Sequence, residues 1–288
     1  MKTRILSLQL PNFKFAPFYF LSALPFIILY RMSDILSFLL FRVFKYRRSV
    51  VAQNLNNSFK EKNTYSIAKD YYRHICDIMV ETVKGLTISP KKITSKISLA
   101  NPALLDDLHK QGKNVIVYAA HQGNWEWLLV LPLLTRYKVH AIYQPLSNAY
   151  FDKLLKTIRS RFGVHCIPSD KAHRYIAQSK NSERPELFVL IGDQCPRVKS
   201  TFYWTQFLNQ ETAFYSGSAR LALKFDQTIL YSFIEKKKRG KYCINLHPIE
   251  ETTVEAISES YSKHLEKSIE QSPSTWLWSH RRWKLKRQ

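Results

Sequence analysis

A histidine and a glutamate stand five positions apart in YAAHQGNWEW, residues 118–127, directly after a run of apolar side chains. Five residues along an α-helix rotate the chain about 140° off its starting face, so His121 and Glu126 cannot meet if both are helical. His121 must therefore precede the helix. Gly123 permits a sharp turn, Asn124 suits an N-cap, and Glu126 falls in the first turn, where the helix dipole favours a carboxylate. A carboxylate there can hold one imidazole nitrogen as N–H and leave the other to accept a proton. That is the orienting logic of a base–carboxylate dyad with His121 as general base. No Ser or Cys lies inside the motif, so the proton is expected from a substrate hydroxyl, in a direct transfer. A His at a strand end and a Glu in a first helical turn also occur for stability alone, and spacing does not choose between the two. A metal site is not expected, because the pair offers two ligands with neither an H-E-x-x-H helix nor a cysteine pair nearby.

Those residues need elements to hold them. Residues 115–120 (VIVYAA) form a continuous apolar run, as in a strand buried on both faces, and a helix is expected over 125–134. Strands at 139–143, 164–167, 187–191 and 228–234 alternate with helices at 150–162, 173–179 and 216–225, after earlier helices at 65–86 and from Pro102 to Lys110. A strand at 242–247 pairs back across the basic turn KKKRGK. The expected fold is α/β, a largely parallel central sheet flanked by helices and ending in an antiparallel edge. Ligands of such sheets bind at the carboxyl ends of the strands. That rule gathers His121, Tyr143, Gln144, Asp193 and Gln194 into one crevice.

The totals narrow the partners. The 288-residue chain is 45% hydrophobic, enough for one domain and an appendage, and its formal charge of +22 calls for a polyanionic partner. Four scattered cysteines, Cys76, Cys166, Cys195 and Cys243, without a C-x-x-C pair, read as reduced thiols. From Phe13 to Tyr30 the only charge is Lys14, and a second apolar segment follows from Ile35, close to a membrane span in length. Pro17 and Pro25 interrupt it. A tilted span, a re-entrant or interfacial helix pair and a buried core hairpin all fit, and a cleaved signal peptide fits less well, because no small-x-small site ends the stretch. Arg42, Lys45, Arg47 and Arg48 then favour the cytoplasmic side and anionic headgroups. The expected division is a membrane-associated anchor with a basic flank over 1–48 and a catalytic domain over 49–288. No nucleic-acid reading module is visible, so nucleic acid is not an expected partner.

HQGNWE resembles the H-x-x-x-x-E/D box of the lipid A biosynthesis acyltransferases, the late lauroyl and myristoyl transferases, within the glycerophosphate-acyltransferase-like superfamily. The resemblance extends through YRRSVVAQNLNNSF at 46–59, YQPLSNAYFDKLLKTIRSRFG at 143–163, GDQCP at 192–196 and SPSTWLWSHRRWK at 272–284. It implies that His121, oriented by Glu126, deprotonates a hydroxyl of a lipid A precursor, which attacks an acyl thioester carried by acyl carrier protein or coenzyme A. No cofactor is implied. It further implies a bacterial inner-membrane location with the active site facing the cytoplasm. Asn124, Tyr143, Asp193 and Gln194 are then expected around the substrate. Gln144 stands where the family pattern has an anion-binding Arg, so Arg159 and Arg161 become the phosphate candidates. Arg281 and Arg282, with Trp278 and Trp283, would meet headgroups. Two other readings stay open: acylation of another lipid acceptor, such as an aminolipid or a glycosylated phospholipid, and non-catalytic binding of anionic lipid.

Overall fold

A computed structural model describes residues 13–197 and 201–287. It opens with a bent pair of apolar helices, α1 (Ala16–Ala23) and α2 (Phe26–Phe38), the latter extended by a π-helical turn to Val43. Pro17 lies in the first turn of α1 and Pro25 caps α2, so each proline begins a helix rather than interrupting one. The bend between them is 112°, and among the described residues no single helix is long and apolar enough to cross a membrane. A buried core hairpin is ruled out, because Phe20, Ile27, Ile35 and Phe38 are all more than half exposed.

Helices α3 (Arg48–Ser58), α4 (Thr64–Lys84) and α5 (Pro90–Thr94) lead into the α/β body, and α4 is the helix expected over 65–86. The body then alternates β1 (Ile97–Leu99), α6 (Pro102–Lys110), β2 (Val115–Ala119), α7 (Leu131–Leu134), β3 (Lys138–Tyr143), α8 (Ala149–Ser160), β4 (His165–Pro168), α9 (Ala172–Gln178) and β5 (Glu186–Ile191). A two-stranded hairpin, β6 (Phe202–Phe207) with β7 (Gln210–Tyr215), follows, then α10 (Gly217–Phe225), β8 (Thr228–Lys238), β9 (Lys241–Ile249) and α11 (Val254–Gln271).

Seven strands make one sheet in the order β1-β9-β8-β2-β5-β3-β4, and every neighbouring pair is parallel except β8 with β9. The largely parallel sheet is as expected, but the antiparallel hairpin is not the edge: β1 adds a strand outside β9. β2 sits at the centre, with Val115 aligned to Leu187 and to Thr228. Its side chains alternate between two cores. Ile116 and Tyr118 join α3, α4, α10 and α11, while Val115, Val117 and Ala119 join α5, α6 and α8. All five are buried, and each large apolar side chain so placed contributes about 1.5–3 kcal/mol, so the strand that leads to His121 is a firm base.

Candidate active site

β2 delivers His121 at its carboxyl end, and β5, its parallel neighbour, delivers Asp193 two residues past its own. The two meet. His121 Nδ1 donates to Asp193 Oδ1 at 2.7 Å, and the His121 backbone N–H donates to Oδ2 at 3.0 Å. Trp276 Nε1 donates to the same Oδ2 at 2.8 Å. Burial pushes the Asp193 carboxyl up, but the neighbouring His121 charge and the hydrogen bonds of His121 and Trp276 outweigh it and hold the group below the usual carboxylate range. Asp193 therefore stays ionised and fixes the imidazole with Nε2 turned outward, where the Gln194 amide stands 3.5 Å away.

The carboxylate that meets His121 is thus Asp193 and not Glu126, which corrects the expectation drawn from the five-residue spacing. The local reading was otherwise sound: Gly123 turns the chain at φ +61°, Asn124 caps the next turn by accepting from the Trp127 N–H, and Glu126 lies in that turn. The turn is a 3₁₀ helix, Trp125–Val130, because Pro132 follows too closely for a long α-helix to begin earlier. Glu126 lies against α8, where Arg159 takes both of its oxygens, Nε on Oε2 at 2.9 Å and Nη2 on Oε1 at 2.6 Å. That occupies the guanidinium edge on which Arg159 was expected to hold a phosphate.

Both groups open on one cavity of about 330 Å³. His121, Trp125, Tyr143, Gln144 and Gln194 form part of its lining, the Glu126–Arg159 pair another, and most of the remaining wall is apolar, including Leu128, Leu129, Val139, Leu155, Val164 and Val189. Trp125 meets the imidazole edge-on, with ring centroids 5.2 Å apart. Such a space suits a long hydrocarbon with one polar reacting end.

The other residues expected to meet substrate or headgroups lie elsewhere. Asn124 is fully buried, and its amide nitrogen donates to Glu81 Oε2 at 2.5 Å, so it supports the turn and does not face the cavity. Arg161 donates to the Gly85 carbonyl oxygen at 2.8 Å and tethers the end of α4. Arg282 is buried, donating to the Ala213 carbonyl at 2.7 Å over the Phe214 ring, and Trp278 is buried beside it in the same core. Neither can face a headgroup. Trp283 donates to Thr212 Oγ1 at 2.7 Å against the β6–β7 hairpin, whereas Arg281 is exposed.

Sequence reasoning missed the support behind His121. The Leu277 N–H donates to the His121 carbonyl at 3.1 Å, the Gly123 N–H to the Thr275 carbonyl at 3.0 Å, and Gln122 bridges to Trp276. His280 Nε2 accepts the Cys195 N–H at 3.0 Å, and burial holds its pKa down at about 4, so it works as a neutral acceptor. On the other side His74 Nε2 donates to the Gly123 carbonyl at 3.1 Å, while Lys236 donates to its Nδ1 at 3.2 Å. The dense tryptophans of SPSTWLWSHRRW were the one signal available for this.

A family model of bacterial lipid A biosynthesis acyltransferases matches residues 3–285. The chain belongs to that family. The acyltransferase accordingly takes a lipid A precursor as acceptor and requires an acyl donor. No curated protein matches its sequence significantly. Among the described residues of the acyltransferase, no group of three or more His, Cys, Asp and Glu side chains could hold a metal ion.

Proposed function

We propose that this acyltransferase adds a fatty acyl chain to a hydroxyl of a lipid A precursor, with His121 as general base and Asp193 as the carboxylate that holds it. The observation that carries the reading is the Nδ1–Asp193 hydrogen bond of 2.7 Å, which leaves Nε2 facing an apolar-walled cavity. The acceptor O–H gives its proton to His121 Nε2 while its oxygen attacks the thioester carbon. The resulting tetrahedral intermediate collapses, the C–S bond breaks, and the leaving thiolate takes the proton back from His121. Gln194, beside Nε2, is placed to donate to the carbonyl oxygen as its charge grows. The Glu126–Arg159 pair sets the polarity of the cavity wall and orders Trp125 and α8 around the acyl chain. The acyl chain lies among Leu128, Leu129, Val139 and Val189.

The donor is a thioester of acyl carrier protein or of coenzyme A. We further place the enzyme at the bacterial inner membrane, with residues 1–48 as its membrane-facing part and 49–288 as the catalytic part facing the cytoplasm. The exposed apolar side chains of α1 and α2 and the net charge of +22 support this. The test is an assay of the full chain in mixed micelles with a lipid A precursor lacking a secondary chain, one arm with each donor, read by mass spectrometry. One added acyl mass with one donor, lost in His121→Ala while the fold is retained, is expected. Unaltered turnover of that variant would refute the mechanism. Transfer only to a different hydroxylated lipid would replace the acceptor, and binding of anionic lipid without any transfer would favour a non-catalytic role.

A further inference from the structure

Helix α2 is divided lengthwise into two unlike faces. Leu29, Ser33, Ser37 and Phe41 are buried against the body, while Ile27, Ile28, Met32, Ile35 and Phe38 are exposed, the most open of them, Ile27, at 71%. The buried face is held by charge. Ser33 Oγ donates to Asp77 Oδ1 at 2.7 Å, Tyr30 OH to Glu81 Oε1 at 2.7 Å, and Arg239 links Asp34 at 2.8 Å to Asp77 at 2.6 Å. Arg73 joins Asp34 at 3.2 Å, and both side chains remain partly exposed. The middle of α2 is therefore fastened flush to α4 and to the β8–β9 turn.

That fastening decides between the orientations the sequence allowed. Were α2 to cross a bilayer, Asp34, Arg73, Asp77 and Arg239 would be drawn to hydrocarbon depth beside it, where ionised groups are costly. Laid flat, the same helix sinks only its exposed apolar strip and leaves the charged network above it. The 112° bend supports the flat arrangement, because it folds α1 away from the line of α2. α1 continues the apolar strip with Phe20, 75% exposed, and Arg42, Lys45 and Arg47 sit at the far end as an exposed basic edge, with Arg48 half-buried over the Phe41 ring beside them. α1 also lies near the cavity rim, through α8. Phe18 packs on Phe151, and Phe15, just before α1, on Tyr150, at the start of α8, where Asp152 accepts the backbone N–H of the half-exposed rim residue Leu146.

We propose that α1 and α2 lie in the plane of a single leaflet of an anionic bilayer, crossing nowhere, and that this seat sets the cavity rim at headgroup level. The proposal deepens the functional reading above and rests on it for the nature of the acceptor. Its test measures depth, not turnover. Spin labels are placed one at a time at Ile27→Cys, Ile35→Cys and Phe38→Cys in the full chain, its native cysteines replaced by serine, bound to vesicles of phosphatidylethanolamine and phosphatidylglycerol. Accessibility to oxygen against a polar nickel reagent then gives the depth of each label.

Ile27 and Phe38 are 11 positions apart, about 16 Å along a helix, so a crossing helix gives labels differing in depth by that order. The in-plane seat gives equal, shallow depths at all three. Arg47→Gln with Arg48→Gln should weaken vesicle binding roughly fivefold per cation removed, an effect that vanishes with neutral lipid. A gradient of depth, or water-like accessibility at all three labels, overturns the seat. Turnover measured on the same samples separates the two readings: flat, shallow labels on an inactive enzyme would leave the seat standing and count against the catalytic assignment alone.

Discussion

Replacing Asp193 with Asn tests the dyad through its tautomer. Asp193 Oδ2 receives two donors, the His121 N–H at 3.0 Å and Trp276 Nε1 at 2.8 Å, so the amide oxygen of Asn must take that position. Turning the amide over would set its NH₂ against both donors, and each buried donor left unmatched costs about 1–3 kcal/mol. The NH₂ therefore faces His121 Nδ1, 2.7 Å from the replaced oxygen, and can only donate to it. Nδ1 becomes an acceptor, the proton moves to Nε2, and the nitrogen facing the cavity can no longer take a proton. The loss should equal the general-base contribution, about 10²–10⁴-fold in kcat, or about 3–5 kcal/mol of barrier. KM should change little, since no cavity-lining group is altered. The assay is steady-state acyl transfer in mixed micelles with Glu126→Gln measured in parallel, which should act on KM more than on kcat because its oxygens are bound to Arg159 and not to His121. Near-normal kcat in Asp193→Asn together with collapse of kcat in Glu126→Gln would refute the assignment and return the orienting role to Glu126.

Other outcomes follow from the same geometry. Gly123→Ala should abolish activity and lower the unfolding temperature, because a Cβ there would lie 2.1 Å from the Ile234 carbonyl oxygen at a φ of +61°; unchanged melting and turnover would contradict it. Trp276→Phe keeps the aromatic packing but removes one donor from buried Asp193, which should cut kcat about tenfold, an effect of the order of one buried hydrogen bond to a charge, with the pH–rate profile displaced; an unmoved profile would reduce Trp276 to a packing role. Burial pushes His74 down to about 3, so between the ordinary 6.5 and that value the unfolded chain binds a proton that the folded one does not, and stability falls as pH falls. Glu81 is pushed the other way by burial, to about 7, so its contribution is lost as pH rises from 4.5 towards 7. The two oppose one another between about 4.5 and 6.5, and His74→Gln should remove only the first. Its melting temperature relative to the parent chain should improve steadily from pH 6.5 downwards, and a constant difference would show that His74 is not a buried neutral base.

Much of this was legible because it is local. β2 and β5 announced themselves as unbroken apolar runs, and the strand-end rule brought His121, Tyr143, Gln144, Asp193 and Gln194 to one place; four of them line the cavity and Asp193 lies directly behind it. The choice between two carboxylates was not legible, since chain distance favours Glu126 while the parallel register of β2 with β5 favours Asp193, and only tertiary pairing fixes that register. Arg159, Arg161 and Arg282 misled for a related reason. A guanidinium written beside apolar residues looks available for phosphate, yet carbonyl groups and Glu126 hold all three inside the fold. The β6–β7 hairpin escaped because its turn, Leu208–Asn209, adopts positive φ at both positions without a glycine to mark it. α11 was readable in principle from Ile257, Tyr261, Leu265 and Ile269, all buried at four-residue spacing.

The segment around Thr275 to His280 has a consequence for the order of events during synthesis. His121 leaves the ribosome early, but Trp276, which helps fix its carboxylate, and Leu277, which holds its own carbonyl, come about 155 positions later. At about 5–20 residues per second that is a delay of roughly 10–30 s. Through that interval β5 and then β8 are made and can pair with β2, but the imidazole still lacks the contacts from Trp276 and Leu277 that fix it. The proposed base is thus fixed last, by residues 275–277, and a product cut short before residue 276 lacks those contacts, however well its sheet has formed.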